Sequence, residues 1–211
     1  MCLRVIKRPL KTLLRRSFWS IKRLVKPVHL PTNTNGMTLL HLGCGRIDTP
    51  GFTNLDILPF PHVHYVHVAY PLEIFKSDSF DLVYASHILE HFSVPEMPRV
   101  LKEWRRILKP GGLLRLGVPN FPMLMRIYED TGDIKEIIGP LMGGQTDPHN
   151  FHQSIYDERY LSGVLFAVGF QEVRSWDPAY VEQHDFEDTT SNVWRIGGRD
   201  YAISLNLEAV K

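Results

Sequence analysis

The chain has 211 residues, is 44% hydrophobic and carries a formal net charge of +1, which suits one domain with a complete core and a short appendage. Its two cysteines, Cys2 and Cys44, exclude a disulfide framework and fit a reducing, cytoplasmic setting. No apolar run reaches the ~18 residues that a membrane-spanning helix needs.

The near-zero charge conceals a division. Residues 1–30 hold nine Lys/Arg and no acid, whereas the remainder holds 15 basic against 23 acidic residues. In this arm Leu3, Ile6, Leu10, Leu13, Leu14, Ile21, Leu24 and Val25 recur mostly at steps of three and four, the helical period. With Phe18 and Trp19 near its middle, the stretch 1–26 reads as a basic amphipathic helix drawn to an anionic membrane surface. A helix packed on its own domain or on a partner, and a cleavable organelle-targeting peptide, share this pattern; scarcity of Ser weighs against the second. The acidic body would repel phosphates, so nucleic acid is not an expected partner. The Pro- and Asn-rich stretch Pro27–Gly36 closes the arm (1–30), leaving 31–36 as a linker and 37–211 as the main domain.

Met37–Leu42 is a short apolar run that ends on Gly43-Cys44-Gly45, as expected of a buried strand meeting a glycine turn. Further strands are expected over Phe52–Ile57, His62–Val68 and Ser79–Ala85, the last followed at once by Ser86-His87-Ile88-Leu89-Glu90-His91. Pro95–Leu108 has strong amphipathic helical spacing and stops at Lys109-Pro110-Gly111-Gly112. A strand over Leu113–Val118, an irregular helix over 121–142, a helix over Asp157–Val168 and strands over Phe170–Trp176 and Tyr201–Val210 complete the order. There is no internal repeat. Strands alternating with helices predict an α/β domain, a mostly parallel sheet with helices on both faces. Ligands of such sheets bind beyond the carboxyl ends of the strands. Gly43–Gly45, Asp56 and Ser86-His87 therefore share one rim.

Two readings of that rim compete. His87-x-x-Glu90-His91 fits the spacing of one class of zinc hydrolase, in which two His on a helix face hold the ion and the Glu is the base. No third ligand in a helical context follows, and His62, His64 and His67 look like one partly exposed strand face, so no metal site is expected. Alternatively, Gly43 and Gly45 let the backbone approach a ligand closely, and an acid ending the second strand accepts two hydrogen bonds from a ribose diol. That combination points to a nucleoside-containing cofactor.

The order of the pieces is more specific than any one of them. Leu40-His-Leu-Gly-Cys-Gly45, Asn54-Leu-Asp56-Ile, Ser79-Phe-Asp-Leu-Val-Tyr-Ala-Ser-His-Ile-Leu-Glu-His91 and Leu108-Lys-Pro-Gly-Gly-Leu-Leu-Arg-Leu-Gly-Val-Pro119 resemble the class I S-adenosylmethionine-dependent methyltransferases of the type 11 group. Gly143-Gly-Gln-Thr-Asp-Pro-His-Asn-Phe-His152 and Leu161–Phe170 resemble a branch associated with polysaccharide biosynthesis. The resemblance covers about residues 37–210. It implies a Rossmann-like seven-stranded sheet in the order 3-2-1-4-5-7-6 with the last strand antiparallel.

It also implies S-adenosylmethionine as cofactor. His41, Leu42, Gly43, Cys44 and Gly45 would pass under its methionine part, and Asp56 with Ile57 would hold the ribose. Tyr70 or Leu72 would flank the adenine, and Ser86 and His87 would border the methionine part and the acceptor. Three features depart from the family pattern: His41 stands where an acid is common, Ile47 replaces a third glycine, and Asp56 follows Gly45 by only 11 residues. Ala69 also occupies the place of an acid that binds the adenine amino group in many relatives.

The implied reaction is O-methylation of a sugar, glycolipid or other small-molecule hydroxyl. A hydroxyl acceptor needs a base, for which His87 is the first candidate and His149 and His152, in a Gly/Pro-rich loop, are the next. His87 alternatively caps the segment that follows the fourth strand. Phe121, Met123, Met125 and Tyr128 either line an acceptor pocket or pack, and Trp104 reads as core. A methyltransferase-like domain without catalysis, acting as a scaffold, is the remaining alternative.

Overall fold

The computed structural model describes Pro31 and residues 35–211. The basic arm and its expected membrane-surface helix lie outside the described residues. Among those described, no helix is long and apolar enough to cross a membrane.

The described residues form nine strands: β1 Leu39–Leu42, β2 Phe52–Asp56, β3 Tyr65–Val66, β4 Phe80–Ser86, β5 Leu108–Pro119, β6 Glu172–Ser175, β7 Val193–Ile196, β8 Arg199–Ala202 and β9 Ser204–Val210. Seven make one sheet in the order β3-β2-β1-β4-β5-β9-β6, while β7 and β8 form a separate hairpin. β1 to β5 are parallel neighbours, and β9 runs antiparallel to both β5 and β6. This is the expected 3-2-1-4-5-7-6 arrangement, with the final strand renumbered by the extra hairpin.

The local chemistry explains these elements. β1, Leu-Leu-His-Leu, is buried at every residue, as a central parallel strand must be. The helices of the described residues are α1 Met97–Ile107, α2 Phe121–Thr131, α3 Ile138–Met142 and α4 Glu158–Ala167. α1 buries Met97, Val100, Leu101, Trp104 and Ile107, one stripe at steps of three and four. α2 starts at Asn120, whose side chain accepts the Met123 N–H, and ends on Gly132 at φ +68.

Three expectations change. The strand read over His62–Val68 shrinks to Tyr65–Val66, because the Asn54 N–H donates to the His64 ring Nδ1 at 2.8 Å in place of a main-chain partner. The strand read over Tyr201–Val210 divides at Ile203, and its first part turns back through Gly197 (φ +57) and Gly198 (φ +82) to pair with β7. Two consecutive positive φ values are what a tight two-residue hairpin turn requires.

The third change concerns the layers. α1 packs on β5, and α4 on β6 and β9, over the main core. On the other face no helix takes part among the described residues. Trp176, Val181 and Phe186, from the segment after β6, cover Leu39, Phe52, Leu82 and Tyr84. A 3-10 turn at Thr189–Ser191 approaches β5 so closely that a Cβ at Gly117 would lie 2.3 Å from Thr190 Cγ2. The short connections between β1, β2 and β3 leave no chain for covering helices.

Candidate functional site

The carboxyl ends of β1, β2 and β4 open onto a cleft of about 520 Å³. Gly43 has φ +64, and a Cβ there would meet Ile88 Cδ1 at 2.0 Å; Gly45 has φ +56 and open space where a Cβ would be. The first glycine is demanded by packing and conformation together. The second leaves bare backbone on the cleft wall.

Asp56 ends β2 and reaches across to this turn. Its Oδ2 accepts the Gly45 N–H at 2.8 Å and its Oδ1 accepts the Leu58 N–H at 2.7 Å. Each carboxylate oxygen has a second lone pair. Asp56 thus braces the rim and keeps acceptor capacity toward the cleft it lines. α1 fixes the opposite lip: the Trp104 indole N–H donates to Ala69 O at 2.8 Å, and Glu103 Oε1 accepts the Leu72 N–H at 3.0 Å. The far wall is lined by the loop Asp147–Phe151. Its turn is closed by the Gln145 N–H to Asn150 O at 2.7 Å and the His149 N–H to Asp147 Oδ1 at 2.9 Å.

Of the residues singled out from sequence, Gly43, Gly45, Asp56, Ile57, Tyr70 and His149 line this cleft. The others do not. Leu42 and Leu72 are fully buried in the main core, and Cys44 is buried with its N–H donating to Leu55 O at 3.1 Å. His41 points to the opposite face of the sheet, since side chains alternate along β1. There its Nδ1 lies 2.6 Å from Thr49 Oγ1 and its ring packs 4.9 Å from that of Tyr84. Burial pushes its pKa down to about 3.

The same face holds Asp188, which accepts the Tyr84 hydroxyl and the Thr190 N–H. Burial pushes the Asp188 carboxyl up, but bonds from Thr190, Tyr84 and Ser86 together hold it below the usual range. Ser86 is thereby turned away from the cleft.

His87 also differs from expectation. It takes φ +53, its N–H donates to Gly117 O at 2.8 Å, and only a single 3-10 turn, Leu89–His91, follows. His87 and His91 therefore do not share a helix face, and the helical premise of the zinc-hydrolase spacing fails. Both ring nitrogens of His87 face protein: Nε2 lies 2.8 Å from Ser204 Oγ and Nδ1 3.2 Å from Glu90 Oε1. Ser204 Oγ already donates to Thr189 O at 2.8 Å, so the His87 Nε2–H is the donor in that pair.

His91 lines the cleft in its place. His152 faces a neighbouring cavity of about 540 Å³ that includes Phe121, Met142 and Tyr156. Met123 packs in the small core of α2 and β8, and Trp104 is core as expected. His62 and His64 are held locally, the first with Nε2 3.0 Å from Gly45 O.

Residues 58–116 match the family described as "Methyltransferase domain". Over 120 residues the chain is 30% identical to the demethylmenaquinone methyltransferase of Staphylococcus epidermidis, an alignment covering 52% of this chain and 49% of that protein. The chain thus spans about half the length of the curated relatives it matches. Among solved structures, a SAM-dependent methyltransferase from Archaeoglobus fulgidus superposes with a TM-score of 0.53 at 16% identity, covering 93% of this chain and 94% of the other. One from Methanosarcina mazei gives 0.50 at 17% identity, covering 89% and 96%. At such identities the likeness is one of fold.

Proposed function

We propose that this chain, whose fold is like that of S-adenosylmethionine-dependent methyltransferases, binds S-adenosylmethionine in the cleft and methylates a small-molecule acceptor at a hydroxyl. The observation that carries this reading is Asp56, held at the cleft by Gly45 and Leu58 with lone pairs to spare for a ribose diol.

The residues fit the cofactor. Bare backbone at Gly45 allows close approach of its methionine part, and Ala69 and Tyr70, fixed from behind by Trp104, offer an apolar edge for adenine. Bound S-adenosylmethionine supplies an electrophilic methyl group. The protein's task is to align an acceptor with it, exclude water and take up the acceptor's proton. The loop Asp147–Phe151 lines the cleft, and His149 on that loop is the candidate base. His87 is unsuited, because both of its nitrogens are directed into the protein.

The second cavity, across Gln153 from the cleft, is the candidate acceptor chamber, with Phe121 and Met142 as apolar walls. Sugars and glycolipids are the acceptor class favoured by the resemblance over 143–152, and residues 1–26 would bring the domain to an anionic membrane where glycolipids lie. Calorimetric titration with S-adenosylmethionine and S-adenosylhomocysteine tests the core of the proposal. We expect saturable binding that Asp56→Ala weakens at least tenfold, ~1.4 kcal/mol. Absence of binding by the folded wild-type chain overturns it.

A further inference from the structure

Glu90 is fully buried, and among the described residues neither carboxylate oxygen meets a main-chain or hydroxyl donor; the nearest side-chain nitrogen is His87 Nδ1. Buried carboxylates without such donors are costly and rare. Its surroundings are three imidazoles. His87 Nδ1 lies 3.2 Å and His152 Nε2 3.9 Å from Oε1, and His91 packs edge-on against His152 with ring centroids 4.9 Å apart. One ligand atom from each of Glu90, His91 and His152 falls within 4.8 Å of the other two.

The orientation of the two rings is informative. His91 Nδ1 faces Phe151 O at 3.2 Å, and His152 Nδ1 faces Pro140 O at 2.7 Å. A carbonyl only accepts, so each Nδ1 carries the hydrogen and each Nε2 presents a lone pair. A cluster built solely to neutralise Glu90 would aim N–H groups at it. Here the N–H groups of both rings are directed at main-chain carbonyls, which is the outer-shell arrangement that orients metal-binding imidazoles.

We propose that Glu90, His91 and His152 bind a divalent transition-metal ion of the zinc type. Two imidazole nitrogens and one carboxylate oxygen suit such an ion better than magnesium or calcium, which prefer all-oxygen sites. Bonds of about 2.0–2.2 Å require the three side chains to close in by about an ångström. The site is not the H-x-x-E-H pair of the sequence, since His152 arrives from the distant loop and His87 instead backs Glu90. Main-chain bonds bring the segments together: the Gln153 N–H donates to Glu90 O at 2.7 Å and the Gln153 side chain to His91 O at 2.8 Å. With His91 on the cleft and His152 on the second cavity, the ion sits between the chambers. Three protein ligands leave a fourth position for water or an acceptor oxygen.

The proposal does not depend on methyl transfer, and its test reads metal directly. Untagged full-length chain, stripped with chelator and exchanged into buffer, is titrated with ZnCl₂ and separately with MgCl₂ by calorimetry. Bound zinc is counted by mass spectrometry and melting is followed with and without the ion. We expect one zinc per chain, a higher melting temperature with zinc, no magnesium binding, and at least tenfold weaker zinc binding in His152→Ala and His91→Ala. Both variants alter partly exposed side chains and are checked for folding by circular dichroism. No zinc binding by the folded wild type, or equal binding by folded His152→Ala, overturns the site. A cofactor titration on the same sample reports separately on the methyltransferase reading.

Discussion

Asp56 and Gly45 are joined across the rim by a 2.8 Å bond from the Gly45 N–H to Asp56 Oδ2. This bond ties the turn after β1 to the end of β2. The carboxylate is a structural brace and, in the proposed function, also the group that meets the ribose.

The double role makes a specific prediction for Asp56→Asn. The amide keeps one oxygen acceptor but sets an NH₂ against the Gly45 or Leu58 N–H. Loss of one buried partner costs about 1–3 kcal/mol of stability. Denaturant unfolding should show that loss, and calorimetry should show weakened S-adenosylmethionine binding in the same variant. Retention of full affinity would place the ribose elsewhere.

Gly43→Ala meets two obstacles at once, the positive φ and Ile88 Cδ1 at 2.0 Å. Left-handed backbone costs a non-glycine residue about 1–2 kcal/mol, and the steric clash adds to it. Combining Gly43→Ala with Ile88→Ala removes the clash but not the backbone strain. The double variant should therefore recover part of the melting temperature lost by the single one, which a thermal melt reads out.

Trp104 is buried in the main core and its N–H holds Ala69 O. Trp104→Phe keeps most of the volume and loses only that bond. A fall of about 1–3 kcal/mol in unfolding free energy is expected, since Ala69 O loses its donor. Trp104→Ala should cost about 3–5 kcal/mol. If Trp104 orders the adenine end of the cleft, the Phe variant also binds S-adenosylmethionine more weakly while remaining folded.

His41 sets a pH dependence. Burial lowers its pKa from 6.5 to about 3; Asp188 opposes this, while His184 and His62 act with it. The folded pKa lies below the unfolded one, so the unfolded chain takes up the proton first as pH falls. This stability is complete above about pH 6.5 and is lost as the pH drops toward 3. Between pH 7 and 5 the contribution is about 2 kcal/mol. Burial also lowers the pKa of His184, in the same sense. Urea unfolding at pH 7, 6 and 5 should show the decline, and His41→Leu, although less stable at pH 7, should show a flatter one. Equal slopes for both chains would exclude His41 as the cause.

Much of the sheet was legible because buried parallel strands are short apolar runs, and β1, β4 and the core of β5 are such runs. The rim was legible too: Gly43, Gly45 and Asp56 follow directly from strand ends and turn chemistry. The alternation in His62–Val68 overstates β3, because it does not reveal that a histidine ring takes over a backbone acceptor's role. The sequence signal for the β7–β8 hairpin is Gly197-Gly198. His41 shows a different limit. Alternation sets it opposite Leu40 and Leu42, but a single strand does not say which face will be covered by a loop.

The order of the elements, the glycine turn and the acid at the end of β2 are written in the chain itself, since these depend on local apolar runs and backbone conformation. Only the tertiary structure decided which histidines matter and where they face. The left-handed turn at His87 sends that ring toward Glu90 and Ser204, and the 143–153 loop, folded back by its bonds to Glu90 and His91, delivers His152. Such meetings arise from long-range closure, for which spacing along the chain carries no record.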